Sequence, residues 1–448
     1  ASPLRDVYKR QHEGHGVVKI DRYPVFVPNA LIDEKIEYKL IKVKKNFAIG
    51  KLLEVKSKSK DRVEPPCVYY YKCGGCQLQH MTYQAQLDMK KEQVVNLFHR
   101  KGPFEDTPIQ PTVGMEQPWR YRNKSQIPVG KDKENKAITG FYRQRSHDII
   151  DMDSCLIQDE QHQKIMNHVK QWLNELNISI YNEKNQSGLM RHLVVRTGYH
   201  TDEMMVIFVT NGKKFKNADV LVQKLISAYP NVTSIKQNIN DTHSNVIMGR
   251  QSVTLYGKDK IVDQLSEVTF NISDQSFYQI NSAQTEKLYQ QAIDYAQLTG
   301  EEIVLDTYCG IGTIGLYMAP QAKHVYGVEV VPSAIKDAEE NATKNQLNNT
   351  TFECGKAEDV ILEWKAQGIR PDVVMVDPPR KGCDETFVKT LLKLNPKRIV
   401  YISCNPSTQQ RDAQLLANNY HLVEITPVDM FPQTTHIETV ALFERKKN

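Results

Sequence analysis

The sequence contains no long apolar run, and this absence argues against a membrane-spanning helix. No stretch approaches the roughly 18 consecutive apolar residues that such a helix requires. The first residues also lack the apolar core of a secretory signal. Neither an internal repeat nor a low-complexity tract is present. We therefore expect a cytoplasmic protein that has no membrane partner.

The chain also has little net charge, since its formal value is only +5 for 448 residues. Its basic residues are nevertheless concentrated locally. The stretch Lys35–Lys60 contains nine lysines against two glutamates. A dense lysine face is compatible with a solvated surface, and it also suits a phosphate backbone.

The composition predicts a folded protein of several domains. Hydrophobic residues make up 40% and charged residues 25% of the chain, which excludes a disordered protein. A chain of 448 residues exceeds one ordinary hydrophobic core, so about three domains are expected. Residues 1–11 lack an initiator Met and a matching periodicity. They are interpreted as a truncated or foreign start outside the fold.

The hydrophobic pattern changes twice along the chain. Residues 12–60 alternate short β-rich runs with turn residues, as a small antiparallel barrel does. Residues 61–267 mix helical and strand patterns and predict an α+β domain. Residues 268–448 alternate short apolar strands with helices, which predicts a Rossmann-like α/β domain with a parallel sheet.

A glycine-rich loop follows the strand predicted at Ile303–Asp306. The loop Gly310–Gly315 has a GxGxxG pattern, whose glycines let the backbone approach a ligand closely. Glu329 ends the next strand, where a carboxylate can accept both ribose hydroxyls. Asp377 follows a later strand, at the sheet edge where open α/β folds bind ligands. The glycine loop and Glu329 also fit a NAD-dependent oxidoreductase.

Cys404 is a candidate nucleophile. It follows the predicted strand Ile399–Ser403 and precedes Asn405–Ser407, where Pro406 in the first turn predicts the start of a helix. The dipole and free amides of a helix amino terminus favour a thiolate, so we expect a lowered pKa for this thiol. The alternative is that Cys404 is a small buried apolar residue.

Four other cysteines form a candidate metal site. Cys67, Cys73 and Cys76 have the spacing C-x5-C-x2-C, and Cys155 lies further along the chain. Four thiolates suit either zinc or an iron–sulfur cluster, and the spacing does not decide between them. Disulfides are the less expected alternative in a cytoplasmic chain.

Three motifs together resemble those of the class I RNA uracil-5-methyltransferase family. They are Asp377–Arg380 (DPPR), Ser403–Pro406 (SCNP) and His436–Thr439 (HIET). No single motif is specific, but the resemblance covers nearly everything after Gly14. Within the family, the chain is most similar to Gram-positive enzymes that act on 23S ribosomal RNA. The resemblance implies an S-adenosylmethionine-dependent enzyme that methylates carbon 5 of a uridine.

The resemblance also implies roles for individual residues. Cys404 is expected to add to carbon 6 of the uracil, which makes carbon 5 nucleophilic. Glu438 is expected to accept the carbon 5 proton afterwards. Contacts to S-adenosylmethionine are expected from Gln279, Tyr308, Glu329 and Asp377.

For the other two domains, the resemblance implies nucleic-acid and metal binding. Residues 12–60 are expected to form a TRAM-type RNA-binding barrel of OB-like shape, whose first strand is in doubt. A structural four-iron four-sulfur cluster is expected in the middle domain, held by Cys67, Cys73, Cys76 and Cys155.

The expected substrate is 23S ribosomal RNA or its precursor, with the target uridine flipped out of its stack. Transfer RNA is the alternative, because the catalytic core would be shared. A non-catalytic RNA-binding protein is less favoured, because Cys404, Asp377 and Glu438 are all present. The segment Trp119–Lys124 interleaves aromatic and basic side chains that suit a single-stranded loop.

Overall fold

The amino-terminal strands form a six-stranded sheet. The structure, a computed structural model, describes residues 5–10, 13–100 and 102–447. The first six strands are β1 (Arg5–Asp6), β2 (Lys9–Arg10), β3 (Gly16–Ile20), β4 (Tyr23–Val27), β5 (Lys35–Val43) and β6 (Ala48–Ser57). They pair in the order β1-β5-β6-β4-β3-β2. Apolar side chains of these strands form a separate small core beneath the lysine-rich strands β5 and β6.

The segment Arg5–Arg10 joins the two ends of this sheet. Its first strand, β1, pairs with β5, and its second strand, β2, pairs with β3. Between them, Val7 N donates a hydrogen bond to Glu34 O at 2.9 Å. The two edge strands of the sheet, β1 and β2, therefore belong to one continuous segment of the chain. The expectation that residues 1–11 stand outside the fold is wrong for residues 5–10, and residues 1–4 and 11 lie outside the described residues.

The middle of the chain forms a second six-stranded sheet with helices on one face. Its elements are α1 (Tyr83–Phe98), β7 (Lys124–Lys131), β8 (Ala137–Thr139), α2 (Glu160–Glu175), β9 (Met190–Thr197), β10 (Met204–Thr210), α3 (Ala218–Ala228), β11 (Val232–Ile239) and β12 (Gln251–Gly257). The strand order is β12-β11-β10-β9-β7-β8. Alternate residues of β10, such as Phe208 and Ile207, enter different cores, which explains why this strand is apolar throughout.

The carboxyl-terminal part opens with the hairpin β13 (Ile261–Leu265) and β14 (Val268–Ile272) and then alternates helices and strands. These are α4 (Ser282–Ala296), β15 (Ile303–Thr307), α5 (Thr313–Met318), a 3-10 turn (Ala319–Gln321), β16 (His324–Glu329), α6 (Pro332–Lys344), β17 (Thr350–Cys354), α7 (Ala357–Ala366), β18 (Val373–Val376), α8 (Glu385–Leu394), β19 (Arg398–Ser403), α9 (Pro406–Leu416), β20 (Tyr420–Val428) and β21 (Glu438–Arg445). No helix in the described ranges is long and apolar enough to cross a membrane.

The seven strands of the last sheet have the order β17-β16-β15-β18-β19-β21-β20, and β21 alone runs antiparallel to its neighbours. Both faces are covered, because Val373 and Met375 of β18 pack with α4, α5 and α6, while Val374 and Val376 pack with α7, α8 and α9. The order of succession reverses between β15 and β18. Open α/β sheets bind ligands at the carboxyl ends of the strands beside such a reversal.

The segment that precedes β7 packs on the carboxyl-terminal sheet. Phe98 of α1 is buried in the same core as α9. Ile109 and Val113 make parallel bridges to Ile425 and Val428 of β20. The segment from α1 to Val113 therefore extends the carboxyl-terminal fold, and the domain boundaries at residues 60 and 267 stay predictions.

Candidate active site

The glycine loop connects β15 to α5 at the reversal of strand order. Gly312 has a φ of +83°, and a Cβ there would lie 3.2 Å from the Ala338 Cβ, so this position favours glycine twice over. Glu329, at the end of β16, accepts a hydrogen bond from Gly310 N at 3.2 Å. The predicted loop and the predicted carboxylate are therefore in direct contact.

The other candidate cofactor residues follow strand ends or precede a helix. Tyr308 directly follows β15, and its ring centroid lies 5.4 Å from that of Phe387. Asp377 directly follows β18, so Tyr308 and Asp377 share one edge of the sheet. Gln279 precedes α4, and its carbonyl oxygen accepts a hydrogen bond from Asn123 Nδ2 at 2.9 Å. The middle domain thus holds the Gln279 backbone.

Asp306 is a candidate residue that the sequence reasoning missed. It is buried near the end of β15, and its Oδ2 accepts a hydrogen bond from Gly315 N at 2.9 Å. Its Oδ1 has no hydrogen-bond partner in the described part of the chain. Burial, and then the nearby Asp377 and Glu329, raise the pKa of Asp306 to about 8. An acidic residue at the end of the strand that enters the glycine loop was the available signal.

Strand pairing brings Cys404 and Glu438 together. Ser403, the last residue of β19, pairs with Thr439 of the antiparallel strand β21. Cys404 follows Ser403 and Glu438 precedes Thr439, so the two are the next facing positions of the ladder. Residues that face each other in an antiparallel pair have Cα atoms about 4.5–5.5 Å apart. The Thr439 hydroxyl also donates to Gln409 Oε1 at 2.7 Å, which ties β21 to α9.

Burial raises the pKa of all three ionisable groups beside this ladder. The pKa of Asp377 rises to about 7, and that of Glu438 rises to about 8 with a further contribution from Asp377. The pKa of Cys404 rises to about 11 through burial, Glu438 and Asp377, while Arg380 opposes the change. The expected lowering of the Cys404 pKa is therefore wrong. Burial and two neighbouring carboxyl groups outweigh the start of α9 and the exposed Arg380.

Cys404 lies on a cleft between the amino-terminal sheet and the carboxyl-terminal domain. The cleft has a volume of about 720 Å³. One wall comes from the amino-terminal sheet and includes Tyr8 and Phe26, and another comes from α1 and the residues directly after it and includes Asn96 and Arg100. The nucleophile candidate is therefore accessible from a space that is wider than one base and contains aromatic and basic groups.

The segment Trp119–Lys124 has a mixed role. Arg120 Nη1 donates to Cys155 O at 2.8 Å, and the buried Tyr121 hydroxyl donates to Pro432 O at 2.9 Å. These two side chains therefore stabilise the fold through hydrogen bonds within the protein. The Nε of Arg122 is buried and has no hydrogen-bond partner among the described residues.

The four cysteines of the candidate metal site line one cavity of about 310 Å³, and all are free thiols: Cys67, Cys73, Cys76 and Cys155. Burial, and then the neighbouring thiols, raise the pKa of Cys76 to about 12. Within residues 5–10, 13–100 and 102–447, no group of three or more His, Cys, Asp or Glu side chains is arranged to hold a metal ion. The cluster stays a prediction.

Comparison with known proteins gives consistent matches over most of the chain. A family model described as tRNA (uracil-5-)-methyltransferase matches residues 82–446. A Staphylococcus epidermidis protein described as an uncharacterized RNA methyltransferase is 83% identical over 436 residues, covering 97% of this chain and 96% of that protein. A Staphylococcus aureus protein with a similar description is 76% identical over 435 residues, with the same shares covered.

A solved structure matches the whole architecture. It is the Pyrococcus abyssi tRNA (uracil-54, C5)-methyltransferase in complex with S-adenosyl-L-homocysteine, with a TM-score of 0.81 and 29% sequence identity. The match covers 98% of this chain and 100% of that chain. These matches overturn the NAD-dependent oxidoreductase alternative. The chain belongs to the family of S-adenosylmethionine-dependent RNA uracil-5-methyltransferases.

Proposed function

We propose that the protein transfers a methyl group from S-adenosylmethionine to carbon 5 of a uridine in 23S ribosomal RNA, through a covalent adduct between Cys404 and carbon 6. One observation carries this proposal. The pairing of Ser403 with Thr439 makes Cys404 and Glu438 neighbours, beside Asp377 and at the edge of a cleft. The proposed nucleophile and the proposed proton acceptor are thus adjacent at the carboxyl edge of the sheet, which supports the proposal.

Cys404 starts the reaction. Carbon 5 of uracil is too weak a nucleophile to attack a methyl donor unaided. The thiol first loses its proton to solvent, and the thiolate then forms an S–C6 bond. The electron pair of the C5–C6 double bond moves toward the carbonyl at carbon 4, which gives an enolate with electron density at carbon 5. Carbon 5 can then form a bond to the methyl carbon as the bond between that carbon and the sulfonium sulfur of the donor breaks, with S-adenosylhomocysteine as the leaving group.

Glu438 completes the reaction. The methylated carbon 5 still carries its original hydrogen, and the Glu438 carboxylate accepts it as a proton. The electron pair of that C–H bond restores the C5–C6 double bond while the S–C6 bond breaks. Cys404 leaves as a thiolate and is ready for another cycle. The net change at carbon 5 is hydrogen for methyl, with one proton released.

The cofactor residues fit the family's donor. S-adenosylmethionine, when bound, supplies a methyl group on a sulfonium centre. Support comes from the contact of Glu329 with the glycine loop and from the unpartnered Asp306 Oδ1 beside it. Buried polar atoms are normally hydrogen-bonded, so an orphaned carboxylate oxygen fits a ligand contact. The residues proposed to hold the donor are Gln279, Asp306, Tyr308, Glu329 and Asp377.

We infer that the four-cysteine cavity holds a four-iron four-sulfur cluster. Four free thiols around about 310 Å³ leave room for a cluster larger than one ion. Each thiolate would be stabilised by the iron that it binds, which removes the cost of neighbouring negative sulfurs. The proposed ligands are Cys67, Cys73, Cys76 and Cys155, and the proposed role is structural.

We also propose that the amino-terminal sheet is a TRAM-type, OB-like RNA-binding module. Its return on itself through Arg5–Arg10, its lysine-rich strands β5 and β6, and the position of Phe26 on the Cys404 cleft support this assignment. Aromatic faces stack bases, and lysines bind phosphates. The module would thus hold nucleotides that flank the flipped uridine.

Transfer RNA is the second candidate substrate, because the solved Pyrococcus abyssi enzyme acts on a tRNA uracil. The deciding experiment measures transfer of a labelled methyl group to unmodified 23S RNA and to unmodified tRNA, with Cys404→Ala as the control. We expect label at uridine carbon 5 of 23S RNA, and none with the variant. Label in tRNA alone would overturn the substrate assignment. Label in neither RNA would favour a non-catalytic RNA-binding protein.

A further inference from the structure

The loop between β20 and β21, residues 429–437, delivers Glu438 to the site. Glu438 is the first residue after this loop and pairs with Val428 of β20, so the loop and the strand pairing together determine where its carboxyl group lies. Thr435 and His436 of the same loop line the cleft beside Cys404. The contacts that hold the loop therefore act on the proposed proton acceptor.

Gln433 lies at the centre of this loop and is buried. Its φ of +71° is in the left-handed region, which non-glycine residues seldom adopt, so surrounding contacts must hold it there. Gln433 N donates to Gln86 Oε1 at 3.0 Å, and Gln86 Nε2 donates back to Gln433 Oε1 at 2.9 Å. Gln433 Nε2 also donates to Pro118 O at 3.3 Å.

The cysteine-bearing segment contacts the same residue through its backbone. Gln77 and Leu78, which directly follow Cys76, both donate their backbone N–H groups to Gln433 O, at 2.9 and 3.0 Å. The Gln77 side chain accepts a hydrogen bond from Thr435 N at 3.3 Å. The segment that carries three of the four cysteines is therefore bonded directly to the loop that ends at Glu438.

The first residue of the loop is fixed independently. Lys90 and Asp429 form a fully buried ion pair at 2.6 Å, and the Tyr83 hydroxyl donates to Asp429 Oδ2 at 2.8 Å. This end of the loop is anchored to α1. Gln433 is where the remaining, carboxyl-terminal half is held, and its partners include the cysteine-bearing segment.

We propose that Gln433 is a positioning residue for Glu438, and that the cysteine-bearing segment holds the base in place through it. This inference rests on the proposed function. Removal of the carbon 5 proton needs the carboxylate within hydrogen-bond reach of one C–H bond, so a small displacement slows this step. Addition of Cys404 to carbon 6 needs only the thiol and the bound base. Loss of the hydrogen bonds that hold Gln433 therefore slows proton removal more than it slows adduct formation.

Gln433→Gly is the test variant. Glycine tolerates the positive φ, so the variant keeps the backbone conformation and loses the side-chain bonds to Gln86 and Pro118. Gln297→Gly is the matched control, because Gln297 also has a positive φ, of 51°, and an exposed side chain away from the site. Gln77→Ala is a second variant that removes only the side-chain bond to Thr435 and the Gln77 bond to Gly74 O.

The readout is the fraction of enzyme found as a denaturation-stable adduct with RNA that already carries the labelled methyl group. Wild type and Gln297→Gly should show little adduct during turnover. Gln433→Gly should accumulate it and lose about tenfold or more in turnover, since general-base steps contribute about 100- to 10,000-fold. Gln77→Ala should show a smaller accumulation of the same species.

The two proposals fail differently. If wild type forms no methylated RNA, the proposed function fails and Gln433 is not at issue. If wild type turns over and Gln433→Gly lowers adduct formation and turnover equally, or changes neither, the positioning role is overturned. Thermal unfolding and iron content of each variant, measured without RNA, show whether a loss is only a folding defect. A folded, iron-containing Gln433→Gly enzyme that accumulates adduct supports the inference.

Discussion

The chain has two cysteine sites, and thiols such as Cys404 in one and Cys76 in the other have raised pKa values for different reasons. At Cys404, burial acts together with two carboxyl groups, Glu438 and Asp377, and Arg380 opposes them. At Cys76 and Cys155, the added contributions come from neighbouring thiols. The pKa rises to about 11 at Cys404 and Cys155 and to about 12 at Cys76.

This difference between the two sites shows that the direction of a pKa shift does not identify the chemistry of a cysteine. The Cys404 thiol lies on an open cleft among ionisable groups of both signs, so substrate and neighbours can change its charge. The four thiols around the 310 Å³ cavity repel one another when ionised, and a bound iron–sulfur cluster is what would stabilise them together. The first environment suits a reversible nucleophile and the second a permanent ligand set.

The substitution Cys404→Ala should distinguish the two cysteine sites most clearly. Methyl transfer should fall by at least about 1,000-fold, because no adduct forms at carbon 6. Iron content and visible absorbance should match wild type, because the four-cysteine cavity is untouched. Activity is measured with labelled donor under single-turnover conditions. Retention of more than a tenth of the wild-type rate would mean that Cys404 is not the nucleophile.

Cys73→Ser tests the other site. We expect loss of iron and of visible absorbance, and a free energy of unfolding lower by about 2 kcal/mol or more, since the cluster binds only the folded chain. Iron assay and denaturant unfolding measure these effects. Cys354→Ser is the control, because Cys354 is exposed on β17 away from the cavity. An unchanged iron content and spectrum in Cys73→Ser would remove the cluster assignment.

Arg380→Gln probes the electrostatic difference. In the proposed mechanism Cys404 and Glu438 both act in their deprotonated forms, and Arg380 lowers both pKa values. The rate of methyl transfer should therefore rise with pH, and the rise should move upward by roughly half a pH unit in Arg380→Gln, because Arg380 is solvent-screened. Lys389→Gln, the same charge change on α8, should leave the profile in place. A profile that does not move would exclude this coupling.

Asp306→Asn should change how the stability of the protein depends on pH. The pKa of Asp306 is about 8 in the folded protein and 3.8 ordinarily, so the folded state binds the extra proton. This contribution is present below about pH 4 and is lost as pH rises toward 8. Between pH 5 and 8, the Tm of Asp306→Asn should fall less than the Tm of the wild type. The variant should also bind S-adenosylmethionine more weakly. If the Tm of the variant and the Tm of the wild type change equally with pH, Asp306 does not have the raised pKa.

Regular elements of the last domain could be predicted because their patterns are local. The strands predicted at Ile303–Asp306 and Ile399–Ser403 correspond to β15 and β19 within one residue. The contact of Glu329 with the glycine loop also follows from strand order alone. The expectation that residues 5–10 lie outside the fold is wrong, because two-residue strands have no periodicity and depend on partners elsewhere in the chain.

The sequence by itself determined the family, the glycine loop and the candidates for the reactive side chains, because residue types at short spacing carry that information. Only the tertiary structure decided the charge of these groups. Cys404 has a raised pKa because it is partly buried and because strand pairing places Glu438 beside it, and no local rule reveals either. The same holds for Gln433, whose partners Gln77 and Gln86 are more than 300 residues away in sequence. Burial and long-range pairing set local electric fields and loop positions, and both exist only once the chain has folded.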